Sequence, residues 1–146
     1  MSNIRIVNLS SYVAPKVIEQ QNKNFVSYGE DNNYYQYLID QYQGSPTNNA
    51  IINGITEMIY GKGLNATNSD KRPEEYAKMV TLFKKDDVKK IASDFYLLGQ
   101  AAMQVIYNVD RSQIVKVEHF PIQTLRAEKA NDKGEIKGYY YFHDWS

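Results

Sequence analysis

Gly61-Lys62-Gly63, a lysine held between two glycines, has the composition of a phosphate-binding loop. Such a loop follows a strand and opens a helix, so that free backbone N–H groups face the anion. Here the order is inverted. The triplet follows Ile51, Ile52, Ile55, Met58 and Ile59, which recur at helical spacing as one apolar stripe. The full Walker spacing and its closing Ser/Thr are missing. The glycines are therefore expected to stop a helix, with Gly61 in a left-handed terminal position and Lys62 beside the negative end of the dipole.

The remaining candidates for chemistry are few. His119 lies next to Glu118 and His143 next to Asp144. Adjacent strand residues point to opposite faces, so neither pair converges by itself, and a metal or acid–base site would need partners from other strands. Asp86-Asp87 could be a carboxylate pair, but at a helix start acidic residues cap N–H groups and meet the dipole. Ser45, Ser93 and Ser112 have no linked base and no Gly-x-Ser-x-Gly elbow. No residue is assigned a catalytic, cofactor-binding or metal-binding role. Arg126, on a strand, reads as a donor for an intersubunit salt bridge rather than as a catalytic group.

The chain has 146 residues, enough for one domain with a core. Seventeen basic residues balance seventeen acidic ones, so no global field draws the chain to nucleic acid. Cysteine is absent, which excludes disulfides and thiolate chemistry. Met1-Ser2-Asn3 opens without a signal sequence, and no apolar run approaches ~18 residues, so a soluble chain outside the membrane is expected. Charge is uneven: residues 62–90 hold eight basic and five acidic residues, a local +3. Lys84, Lys85, Lys89 and Lys90 are the candidates there for weak DNA contact. Thirteen tyrosines fall mainly into an early and a late group. Tyr34, Tyr35, Tyr139 and Tyr141 are, with Arg126, the candidate subunit-interface residues, because tyrosine suits half-buried contacts. Ordinary helix and sheet packing is the competing reading.

The elements that must position these groups are legible from punctuation. Residues 1–30 are polar and irregular and read as an extended arm, ordered by a neighbour. Helices are expected at about 33–43, 46–60, 73–84 and 87–98. Asp31 or Asn32 caps the first, Ser45-Pro46 opens the second, Pro73 the third and Asp86 the fourth. In the last, Val88, Ile91, Ala92, Phe95 and Leu98 are expected inward, and Gly99 ends it. The period then changes to two, giving strands at about 101–108, 113–120, 124–129 and 136–142. Val117 is expected inward. Helices first and an antiparallel sheet of hairpins second make an α+β fold of residues 31–146. The closing "GYYYFHDWS" runs out just after an aromatic strand, which reads as a cut from a longer protein.

Three stretches together resemble the N-terminal, wing-like part of the portal proteins of tailed bacteriophages. They are "YGEDNNYYQYLIDQYQGSPTNNAIINGITEMIYGKGL" (28–64), "DFYLLGQAAMQVIY" (94–107), and "VEHFPIQTLRAEK" (117–129) with "GYYYFHDW" (138–145). The likeness covers the chain after about residue 25, without the stem helix, clip and crown of that family. It implies a non-enzymatic subunit of a dodecameric ring at a capsid vertex, assembled in the host cytoplasm and retained in the virion. Capsid protein, terminase and the head–tail connector would be its partners, and double-stranded DNA would pass through its channel for packaging and ejection. No cofactor is implied. Two other readings stand beside it. One is a nucleic-acid-binding module using tyrosine stacking and the basic 62–90 segment; the other is a small hydrolase using His119 or His143.

Overall fold

A computed structural model describes residues 17–19, 22–29 and 31–145. Four helices come first: α1 (Tyr34–Gly44), α2 (Pro46–Tyr60), α3 (Pro73–Leu82) and α4 (Lys85–Leu98). Their ends sit where local chemistry puts them. The Ser45 hydroxyl accepts from Asn48 N, and Pro46 and Pro73 occupy first-turn positions that need no N–H. Gly61 at φ 53° and Gly99 at φ 73° close α2 and α4 in backbone regions that glycine enters freely.

The start of α1 differs from expectation. Its N-cap is Asn33, with no side-chain cap bond, while Asp31 Oδ1 accepts from Asn33 N. Asn32 instead stands at φ 65° and turns its amide inward. The third helix ends two residues early, because Phe83 leaves it to bridge Val117 in parallel, and α4 begins at Lys85.

The strands pair as three separate two-stranded antiparallel ladders instead of one sheet. β1 (Val17–Ile18) pairs with β2 (Ser27–Tyr28). β3 (Ala102–Tyr107) pairs with β4 (Ile114–Phe120), Val105 standing opposite Val117. A 3₁₀ turn at Ile122–Thr124 follows Pro121 and delays β5 to Leu125–Ala127, which pairs with β6 (Tyr139–Tyr141). Asn131 makes the connector: its Oδ1 accepts from Lys133 N and Glu135 N, and Gly134 turns at φ 77°. The fold is α+β.

Of the expected arm, residues 1–16, 20, 21 and 30 lie outside the described residues. Residues 22–29 pack on their own chain. Val26 N donates to Ala127 O (2.9 Å), Lys129 N donates to Asn24 O (3.1 Å), and Phe25 bridges Glu128. This stretch therefore covers the edge of β5 that β6 leaves open.

α2 lies against α4, α1 touches both, and α4 backs onto β4. Tyr35, Leu98 and Ile122 form the central core, with Leu38, Ile39, Leu97 and Leu125 around it. Val117 is buried, as the alternation required. Two apolar stripes divide, however. On α2 only Ile52, beside Thr56, is buried, while Ile51, Met58 and Ile59 are exposed. On α4, Phe95 is exposed although Leu98 is buried. Each helix is covered over a narrower arc than its apolar residues span.

Candidate functional site

The most organised polar feature is built around Arg126. β5 carries this side chain inward, where it is 2 % exposed. Its Nε donates to Asn32 Oδ1 (2.6 Å) and its Nη2 to Asn32 O (2.8 Å). Nη1 donates to Gln123 O and Leu125 O, both at 2.8 Å. The guanidinium lies 5.0–5.6 Å from the ring centres of Trp145, Tyr35 and Tyr28, within cation–π range. Among the described residues no carboxylate pairs with it. Burial pulls its pKa down, and the Tyr35 and Tyr28 rings work against that pull. The intersubunit salt bridge expected of Arg126 is therefore corrected: its donors are engaged inside the chain, where they tie residue 32, the 3₁₀ turn and the Trp145 end together.

Tyr35 is corrected for the same reason. It is 2 % exposed, and its hydroxyl donates to Gln100 Oε1 (3.0 Å). Burial raises its pKa first, Tyr28 adds to this, and Arg126 opposes it. Tyr34 is half-buried. Tyr139 and Tyr141 are exposed on β6. Phe142 N donates to Thr124 O and Glu128 N to Gly138 O, each at 3.0 Å. The peptide groups of Tyr139 and Tyr141 therefore point away from β5, toward the open edge.

The basic group does not act as one. Lys89 is bound to Glu57 (2.5 Å) and lies 5.1 Å from the Tyr60 ring centre, which joins α4 to α2. Lys84, Lys85 and Lys90 are exposed. In the Gly61-Lys62-Gly63 triplet, Gly61 N donates to Glu57 O (2.9 Å) and Gly63 N to Tyr60 O (2.8 Å). These N–H groups serve the end of α2 and do not face an anion.

His119 finds a partner that its sequence neighbours did not announce. Its Nε2 lies 2.7 Å from Asp94 Oδ2 on α4, both side chains being mostly buried. Asp87, at the start of the same helix, accepts from His119 N (3.4 Å). The pair joins β4 to α4. His143 follows β6 in the chain, its ring against Phe142 at 4.8 Å. Among the described residues no three His, Cys, Asp or Glu side chains are placed to hold a metal. A depression of about 450 Å³ opens between the 65–72 loop and α3, lined by Thr67, Asn68, Ser69, Tyr76 and Met79. The Arg72 guanidinium at its rim is paired with Glu75 (3.2 Å).

Sequence reasoning missed Asn32, Asp94, Gln100 and Trp145 as partners. Only Asn32 carried a local signal, since asparagine tolerates the left-handed region better than most residues. Among the described residues no helix is long and apolar enough to cross a membrane. Comparison with family models, curated proteins and solved structures finds no match to this chain.

Proposed function

We propose that this chain is a non-enzymatic structural subunit of a ring assembly of the phage-portal type, situated at a capsid vertex through which DNA is packaged and ejected. The observation that carries the reading is uncovered apolar surface. Among the described residues Met58, Phe95, Met103, Tyr107, Tyr139 and Tyr141 are all exposed, while the buried hydrophobic set is small. Large apolar patches on a water-soluble domain mark contacts with other chains. The likeness of residues 28–64, 94–107 and 117–145 to the wing region of portal proteins supplies the kind of assembly. Imaging of negatively stained particles and light scattering of the chain test it. Weak association is expected, with monomer or small oligomers at micromolar concentration and a defined oligomer by ~100 µM; a chain monomeric at ~100 µM would overturn the reading.

A second reading has one observation in its favour. The rings of Tyr139 and Tyr141 stand exposed on a strand, as in platforms that stack single-stranded bases. The Lys89–Glu57 pair removes one cation from the basic track such a platform needs. Sub-micromolar affinity for single strands, lost in Tyr139→Ala and Tyr141→Ala, would favour it.

A further inference from the structure

Among the described residues, two of the uncovered apolar faces differ in shape. The first is a ridge on α2. Ile51 and Met58 lie two turns apart on the side away from α4, Ile59 flanks them, and Met58 is 74 % exposed. Gly54 lies between them on that side, and a Cβ there would meet nothing within 4 Å. The second face belongs to the β3–β4 hairpin. Met103, Val105 and Tyr107 share one side of β3. Across the ladder that side continues into Val117 and His119, which α4 covers. On the β3 half Met103, Val105 and Tyr107 are exposed, and Phe95 on α4 is 63 % exposed.

This second face has none of the usual guards of a free edge. The six residues Ala102–Tyr107 include no charge and no proline, the devices that keep an edge strand from pairing with another chain. The six residues of β3 carry no charge, which suits the core of an interface. The areas agree. At roughly 200 Å² per large apolar residue, Ile51, Met58 and Ile59 on one side expose roughly 350 Å², and Phe95, Met103, Val105 and Tyr107 on the other roughly 400 Å². A standard interface buries about 800 Å² per partner, a little over half of it apolar. Each face is about one apolar interface core.

We infer that the α2 ridge of one copy seats on the β3 face of the next copy. The contact is heterologous, joining two different surfaces. An open assembly of any length therefore keeps one free face of each kind, and association continues until a ring closes. This inference rests on the reading of the chain as a self-assembling subunit and names the surfaces that subunit uses.

The test is complementation between two surface variants of the 146-residue chain, Met58→Glu on the ridge and Val105→Lys on the strand. Circular dichroism and melting confirm that each variant folds. Sedimentation velocity of each alone should show self-association weakened at least ~30-fold, as for loss of a central interface residue. An equimolar mixture should form a one-to-one dimer and stop there, because one intact ridge meets one intact strand face. If both variants lose association and the mixture stays monomeric, the heterologous pairing is wrong. If the wild-type chain associates and either variant associates equally well, these surfaces are not the contact, and the assembly reading stands without them. If the wild-type chain is itself monomeric at ~100 µM, the assembly reading falls, and this contact with it.

Discussion

Replacing Asn32 by alanine should cost about 3 kcal/mol of stability, although the residue lies in a turn. Asn32 Oδ1 accepts from both Arg126 Nε (2.6 Å) and Tyr28 N (3.1 Å). Alanine leaves a buried charged donor and a backbone N–H short of an acceptor, which costs roughly 1–3 kcal/mol. It also places a Cβ-bearing residue without asparagine's local bonds at φ 65°, for roughly 1 kcal/mol more. For a domain of this size the sum corresponds to a fall in Tm of about 10 °C. Asn32→Gly should recover roughly 1 kcal/mol of the loss, because glycine enters that region without strain. Urea unfolding, followed by Trp145 fluorescence and by circular dichroism, measures both. A double-mutant cycle with Arg126→Met isolates the link and should return a coupling above ~1 kcal/mol. An Asn32→Ala midpoint within ~0.5 kcal/mol of wild type, or no coupling to Arg126, would refute the picture of a buried arginine held by this turn.

Val117→Lys should cost more than ~3 kcal/mol, since residue 117 is 4 % exposed in the hairpin; an unchanged melting temperature would show the strand register to be wrong. Tyr35, whose pKa is raised by burial, contributes stability that is intact below the ordinary tyrosine range near pH ~10 and is lost as pH climbs above it. Tyr35→Phe should therefore flatten the alkaline limb of a stability–pH curve, and an equally steep limb in the variant would contradict the assignment. Lys62→Ala should leave nucleotide binding at none, checked by whether millimolar ATP protects Lys62 from chemical labelling, because the neighbouring N–H groups cap α2. DNA should bind no tighter than about 10⁻⁴ M at physiological salt. Any residual affinity should depend on Lys84, Lys85 and Lys90, with Lys89 contributing less because Glu57 holds it; a fluorescence titration that finds Lys89 dominant would count against that pairing.

Local chemistry made much of the fold legible. Ser45-Pro46, Pro73, Gly61 and Gly99 act through atoms within a few residues of themselves, and the helix ends fall where they stand. The change of period after Gly99 announced the hairpin, and alternation placed Val117 inside. The candidate site was less legible. Arg126 read as a donor for an intersubunit salt bridge because its acceptors come from residue 32 and from the 3₁₀ turn, and its aromatic walls from residues 28, 35 and 145. Asp94 gave no sign of His119, 25 positions away on another element. Periodicity shows which residues share a face; it does not show how wide an arc a neighbour will cover. That is why Ile52 went inward and Met58 outward on the same helix, and Leu98 inward with Phe95 outward on another. The sequence by itself determined the order of helices and strands and the ends marked by Ser45-Pro46, Gly61, Pro73 and Gly99, because capping and turn preferences are short-range. Only the tertiary structure decided which apolar residues form a core and which remain as surface for another chain, because burial depends on the size and placement of whole elements brought together from distant parts of the chain.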